Sequence, residues 1–375
     1  MAPFGPMTPQ RLLSDTMDSL EETVDCTTAN SSRSTPINPS SSTEVESSLQ
    51  CDEDEHSLLP DDVPGSGAHA RAQVPGLPRH AFAVEDFREI IKNELKRQAG
   101  LRYVPDRPEA RRFASLDRPR IVSWLVEVVA ALKLSEEALH AAVSLLDRFV
   151  AGTETFPPEH VLQLLALACV SLASKHEEVA QYRADDWVGL AVDGNKKPLY
   201  QREDLQRMEW LLLETVDWRI RVPNSLVFLR QYHNALLYED GVVPADVASM
   251  AAFKTCANFL AELSLLYDAF LPYGYSTVAT ACLVLAEWTV KGNAGPAASS
   301  QAGSAAPAIR TVAALTELAG VDVAALAPNL APCVEALHQL YAQATAPGPD
   351  GASPSAAKLG LLSPVVARYV PSAQR

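Results

Sequence analysis

This 375-residue chain predicts an all-α fold, with two tandem five-helix bundles between disordered N- and C-terminal tails. Three observations carry that prediction. Apolar residues recur at helical spacing from about residue 84 to residue 345, and no segment alternates with period two over a useful length. The hexamer Ala168-Cys169-Val170-Ser171-Leu172-Ala173 also has a counterpart in Ala281-Cys282-Leu283-Val284-Leu285-Ala286. Each copy falls on the third helix of its set, the mark of a duplicated plan.

Residues 1–80 are rich in Ser, Thr, Pro and acid without a period, as in Pro36-Ile37-Asn38-Pro39-Ser40-Ser41-Ser42. Such a stretch cannot bury enough apolar surface to offset its ordering entropy, so it is expected to be disordered. Residues 81–117 form an N-terminal helix and lead-in. Phe87, Ile90, Ile91 and Leu95 share one amphipathic face over 84–99, and Gly100 and Pro105 break it.

The first bundle, 118–222, reads as helices at 118–133, 136–151, 158–178, 184–192 and 202–217. Ser135 is the N-cap of the second, and Pro157-Pro158 opens the third. That third helix is apolar on nearly every face (Val161, Leu162, Leu164, Leu165, Leu167, Val170, Leu172), which places it inside the bundle. The second bundle, 223–346, reads as helices at 224–239, 245–268, 274–290, 308–319 and 328–345. A low-complexity, flexible insert at 292–307 interrupts it. The Pro/Gly/Ser/Ala-rich residues 347–375 are expected to be a second disordered tail.

Charge narrows the function. The net charge is −15, and in residues 1–66 thirteen Asp/Glu are opposed only by Arg11 and Arg33. Nucleic-acid affinity comes mainly from Lys and Arg on phosphates, so no nucleic-acid partner is expected, and the acidic tail suits a basic protein surface. The six cysteines (26, 51, 169, 256, 282, 333) show no CxxC spacing, which fits a reducing compartment and no zinc site. His140, His160 and His176 lie on different predicted helices, so no metal is expected there either. No N-terminal apolar run resembles a signal peptide, and Val161–Ala173 is too short to span a bilayer. A soluble protein of nucleus and cytoplasm is expected. Phosphate loops, nucleophile elbows, HExxH and dinucleotide glycine patterns are all missing from the sequence, so no enzyme, no catalytic residue and no cofactor is expected.

Four motifs in order then carry a family resemblance. The run Arg120-Ile121-Val122-Ser123-Trp124-Leu125-Val126-Glu127-Val128 resembles the opening helix of a cyclin box. Leu145-Leu146-Asp147-Arg148-Phe149, Leu172-Ala173-Ser174-Lys175-His176-Glu177-Glu178 and Arg207-Met208-Glu209 follow at the spacing that family shows. Leu164 to Ala173 and the Asp217-Trp218-Arg219 ending are more similar to D-type (G1) cyclins of plants and algae than to mitotic cyclins. So is Leu49-Gln50-Cys51-Asp52-Glu53, an L-x-C-x-E sequence. D-type cyclins use that motif to dock on retinoblastoma-type pocket proteins, and the acid of Asp54 and Glu55 suits a groove with a basic rim.

The resemblance implies a regulatory subunit that pairs with a cyclin-dependent Ser/Thr kinase, activates it and directs it to a pocket protein, with kinase inhibitors as further partners. Lys175 and Glu209 match the family's kinase-contacting pair. For Lys175 the plainer reading is a cation favoured at a helix C-terminus with its stem along apolar surface. Counted from the shared hexamer, however, its counterpart is Trp288, so packing at that position does not demand a lysine. Ile121, Trp124, Glu127, Leu162 and Gln163 match the face on which cyclins recruit Arg-x-Leu substrates, with core packing the plainer reading for Trp124. The departures there are Asp117, where mitotic cyclins carry Met, and Arg120, where an aliphatic residue is common. Thr8-Pro9-Gln10-Arg11 fits a proline-directed phosphosite at Thr8, while Thr35-Pro36, Ser353-Pro354 and Ser363-Pro364 fit only its minimal form. The rival readings are a transcriptional cyclin and a cyclin-fold transcription factor, the latter distinguished by a zinc ribbon and basic DNA-facing surfaces.

Overall fold

The computed structural model describes residues 79–193, 195, 197–236, 247–290, 307–319, 323–346 and 359–369. Thr8, the Leu49/Cys51/Glu53 motif, nearly all of the N-terminal tail, the 292–306 part of the insert and most of the C-terminal tail lie outside these residues. Thirteen α-helices are described. Two lead in: α1 (Arg79–Ala99) and α2 (Pro108–Leu116). The first bundle comprises α3 (Arg118–Ala131), α4 (Glu136–Gly152), α5 (Leu162–Glu177), α6 (Ala184–Val188) and α7 (Arg202–Thr215). The second comprises α8 (Ser225–Leu236), α9 (Val247–Leu265), α10 (Tyr275–Val290), α11 (Pro307–Ala319) and α12 (Val323–Thr345), and α13 (Ser363–Tyr369) is the last described helix. Extended pairing among the described residues is confined to an isolated bridge between Val192 and Pro198.

The duplicated hexamer lies where close packing needs small side chains. Ala168 to Ala173 on α5 and Ala281 to Ala286 on α10 are all buried, each at the centre of its bundle. Helix α5 packs on α4 and α7, while α10 packs on α8, α9, α11 and α12. Small residues let the surrounding helices approach, and the Leu and Val between them fill the gaps. Ser135 caps α4 as expected, its Oγ accepting from the Ala138 amide at 3.2 Å, and a 3-10 turn at Glu159–Val161 follows Pro158 into α5.

Helix α1 packs on α8 and α11 of the second bundle. Ile91 is its buried anchor and Gln98 reaches Ser276, whereas Ile90 turns outward at 41% exposure, so the apolar face is narrower than the sequence pattern drew it. Within the lead-in, α2 seats Ala110, Phe113 and Ala114 in the core.

The bundles meet across a buried ion pair. Arg118 and Asp147 are 2% and 4% exposed, and the guanidinium Nε and Nη2 donate to the two carboxylate oxygens at 2.6 and 2.8 Å. Its Nη1 donates to the Leu265 carbonyl at the end of α9 at 2.8 Å, so one side chain ties α3 to α4 and both to the second bundle.

The C-terminal tail was expected to be disordered throughout 347–375. Residues 359–369 instead fold back as a 3-10 turn (Gly360–Leu362) and α13, packing on α3 of the first bundle and α9 of the second. Leu359, Leu362, Val365 and Val366 are buried, an apolar spacing that the surrounding Pro, Gly and Ala obscured. Ser123 Oγ donates to the Leu361 carbonyl at 3.1 Å, and at the far end Arg368 and Tyr369 reach Glu262, which is 1% exposed. Tyr369 OH donates to Glu262 Oε1 at 2.8 Å, yet Glu262 Oε2 and one Arg368 Nη find no partner.

Burial, helped by the like charge of Glu136, outweighs Arg368 and pushes the Glu262 carboxyl up from 4.5 to about 7. The folded state therefore holds a proton that the unfolded chain releases, so this group lowers stability as pH rises from about 4.5 towards 7. Buried His140, pushed down to about 3 by burial and Arg368, acts in the opposite direction over that range. The two are separated by comparing wild type with Glu262→Gln in denaturant unfolding at several pH values. The Gln variant is expected to gain about 1–3 kcal/mol on wild type between pH 5 and pH 8. A pH-independent difference contradicts this account.

Candidate functional site

Lys175 ends α5 and Glu209 lies on α7, the helix packed beside it. The sequence assigned both to one surface, and the structure brings them into contact. Lys175 Nζ lies 2.6 and 2.7 Å from the two Glu209 oxygens, and Ser171 Oγ, one turn earlier on α5, donates to Glu209 Oε1 at 2.6 Å. The pair is asymmetric: the Lys175 side chain is 44% exposed and that of Glu209 11%. Glu209 is thus held in place by a buried hydroxyl, while the ammonium faces solvent with hydrogens to spare. The matching position in the second bundle, Trp288, is buried, so the lysine belongs to the first bundle's surface and not to the shared packing plan.

Exposed apolar side chains flank this pair along the chain. Trp210 and Leu211 follow Glu209 on α7 with 57% and 46% exposure, Trp218 is 55% exposed just beyond that helix, and Val179 stands free after α5. Trp210 and Trp218 stack edge to face, centroids 5.2 Å apart at 87°, and Trp210 Nε1 donates to Glu214 at 2.8 Å. The edge-to-face arrangement holds both indoles in a fixed geometry while each keeps a broad face to solvent. The sequence reading overlooked Trp210. Its signal was the run Trp210-Leu211-Leu212-Leu213, four apolar residues in succession, wider than the stripe a helix can bury on one side.

The residues of the second predicted constellation lie on α3 and α5, and most of them are covered. Ile121 and Trp124 on α3 and Leu162 on α5 are 3%, 8% and 2% exposed, leaving Glu127 and Gln163 as its half-buried, reachable members. Glu127 Oε2 is buried without a hydrogen-bond partner, and burial pushes that carboxyl above its ordinary range. Arg120 stands 4.0 Å from Asp117 at the rim, so the two departures from the family pattern partly neutralise each other.

Of the histidines set aside as ligands, His140 is buried against Ser225 Oγ at 3.2 Å and His176 faces Glu177 at 2.9 Å. Among the described residues no group of three His, Cys, Asp or Glu is placed to hold a metal ion, and no helix is long and apolar enough to cross a membrane.

Two family models match in tandem, the cyclin N-terminal domain over residues 86–221 and the cyclin C-terminal domain over 223–349. The chain belongs to the cyclin family. It is 31% identical over 261 residues to human Cyclin-A1, covering 69% of this chain and 47% of that protein. It is 30% identical over 210 residues to Cyclin-A1-2 of Arabidopsis thaliana, covering 56% of this chain and 44% of that one. The chain therefore spans about half the length of the curated relatives it matches. A viral cyclin from herpesvirus saimiri aligns at 16% identity and a TM-score of 0.49, over 67% of this chain and 97% of the viral one.

Proposed function

We propose that this cyclin binds and activates a cyclin-dependent Ser/Thr protein kinase as the non-catalytic member of a heterodimer, and that it acts as a D-type (G1/S) cyclin directing that kinase to a retinoblastoma-type pocket protein. The observation that carries the kinase half is the Lys175–Glu209 pair together with the exposed Trp210–Trp218 stack, which begins at the residue after Glu209 on α7. Apolar area with a fixed charge at its edge is the composition of a binding hot spot: aromatic anchors supply desolvated contact and the charge sets register. The surface suits the kinase helix that carries the catalytic glutamate, holding it inward so that the glutamate meets the phosphate-binding lysine. The cyclin contributes shape and apolar contact, with no chemistry of its own.

The D-type half rests on the Leu49/Cys51/Glu53 motif. The matched relatives described above are A-type cyclins, which favours a second reading in which the Glu127 face recruits Arg-x-Leu substrates and inhibitors. Residence in both nucleus and cytoplasm, and phosphorylation at Thr8, belong to the same proposal.

The test is capture of purified cyclin-dependent kinases by the full chain, followed by kinase assays on pocket protein and on a generic peptide. Cys51→Ala is expected to weaken pocket-protein binding about tenfold or more while peptide phosphorylation stays unchanged. Loss of both together contradicts a tail that acts apart from the fold. Loss of neither removes the D-type half, and Glu127→Gln then tests the A-type reading.

A further inference from the structure

The motif Leu145-Leu146-Asp147-Arg148-Phe149 places two charged residues side by side on α4, and the structure sends them in different directions. Asp147 is consumed by Arg118. Arg148, 5% exposed, points to the turn that follows α7, donating through Nη1 to the Arg219 carbonyl at 2.7 Å and through Nη2 to the Val216 carbonyl at 3.1 Å. Between those two carbonyls lie Asp217 and Trp218, with φ of 55° and 58°.

Two successive non-glycine residues in the left-handed region are costly, because each Cβ crowds its own backbone. The conformation persists only where surrounding contacts over-determine it. Here the Trp218 amide donates to the Leu213 carbonyl at 2.8 Å, the Arg219 amide to Val216 at 3.1 Å, and Arg148 clamps the carbonyl at each end of the pair. The left-handed turn is what brings the Trp218 indole back along α7 to meet Trp210. An extended exit from the helix carries residue 218 away from it.

We infer that Arg148 is a positioning residue for the aromatic half of the kinase-docking surface, fixing the Asp217–Trp218 turn so that Trp218 is presented edge to face with Trp210. This rests on the function proposed above, and it assigns to the buried arginine of the motif a role separate from that of its neighbour. At 5% exposure Arg148 offers almost no surface of its own to a partner. It acts through two backbone carbonyls, so a change there alters how the indole is offered and leaves the Lys175–Glu209 pair intact.

The experiment uses full-length chain labelled with 5-fluorotryptophan, whose five tryptophans give one fluorine resonance each, with Trp210 and Trp218 assigned by Trp210→Phe and Trp218→Phe. Arg148→Met keeps the apolar stem and removes the donors. It is expected to shift or broaden the Trp210 and Trp218 resonances, leave those of Trp187 and Trp288 in place, and weaken kinase binding about tenfold. Arg148→Lys, with a single donor site, is expected to fall between. Asp217→Gly, which makes a left-handed residue easier to hold, is expected to restore part of the loss in the Met variant. Unmoved Trp218 resonances overturn the inference. So does uniform movement of all five with lowered stability, which marks Arg148 as a general core residue. If wild type binds no cyclin-dependent kinase while the fluorine shifts occur as expected, the functional reading fails and the turn-holding role survives alone. If wild type binds and Arg148→Met binds equally well, the inference fails and the functional reading stands.

Discussion

Replacing Lys175 and Glu209 together by alanine is expected to abolish kinase activation while leaving the cyclin folded. The Lys175 side chain is 44% exposed, so the ion pair itself contributes about 0–1 kcal/mol. Glu209 is 11% exposed, however, and its loss strands the buried Ser171 hydroxyl at about 1–3 kcal/mol, so the unfolding midpoint is expected to fall modestly while the fold persists. Binding is a different matter. When a kinase covers this face the pair is withdrawn from water, and truncating a desolvated charge at an interface costs about 2–5 kcal/mol, a loss of some thirtyfold or more in affinity. The single variants are not equivalent. Glu209→Ala strands both Lys175 and the buried Ser171 hydroxyl, whereas Lys175→Ala leaves Glu209 still accepting from Ser171. Glu209→Ala is therefore expected to be the more damaging in affinity measured by titration calorimetry. Unchanged affinity in the double variant refutes the assigned interface.

The second large effect concerns stability. Arg118→Ala leaves Asp147 buried at 4% exposure without its counter-ion, and removing one partner of such a pair typically costs about 3–5 kcal/mol. It also frees the Leu265 carbonyl, the point where the ion pair reaches the second bundle, so loss of cooperativity between the bundles is expected alongside a lower unfolding midpoint. Replacing both members by apolar residues of similar volume, Arg118→Met with Asp147→Leu, is expected to cost much less, because no uncompensated charge remains. Equal destabilisation by the single and double variants, in chemical unfolding followed by circular dichroism, contradicts the electrostatic account and points to shape alone.

The helices of both bundles were legible because their signal is redundant. Helix α5 and helix α10 are apolar all round, and the small residues of their shared hexamer sit where neighbouring helices approach. Cap chemistry at Ser135 and the prolines before α5 located two boundaries. Helix α2 escaped notice because it is short and anchored by one large apolar residue, Phe113, with Ala110 and Ala114, too sparse a pattern to separate from a charged loop. The strap at 359–369 escaped for a different reason. Its Leu359, Leu362, Val365 and Val366 are helically spaced, but their burial depends on a cleft between α3 and α9 that no local pattern announces.

In the site, family motifs pointed to Lys175 and Glu209, and their mutual contact needed α5 and α7 laid side by side. Trp210 was signalled by the apolar run 210–213, whereas its stacking on Trp218 and the work of Arg148 depend on a left-handed turn at Asp217 and Trp218 that no local pattern announces. Of the residues expected to form an Arg-x-Leu face, Ile121, Trp124 and Leu162 are buried and Glu127 and Gln163 half-buried.

The most direct test of the central claim is the phosphorylation rate of a generic peptide by a purified, otherwise inactive cyclin-dependent kinase, titrated with the full chain and with its Trp210→Ala/Trp218→Ala variant. The account predicts saturable activation by the wild-type chain and little or none by the variant at equal concentration. A kinase that stays inactive at saturating wild-type chain, or one that both proteins activate alike, contradicts it.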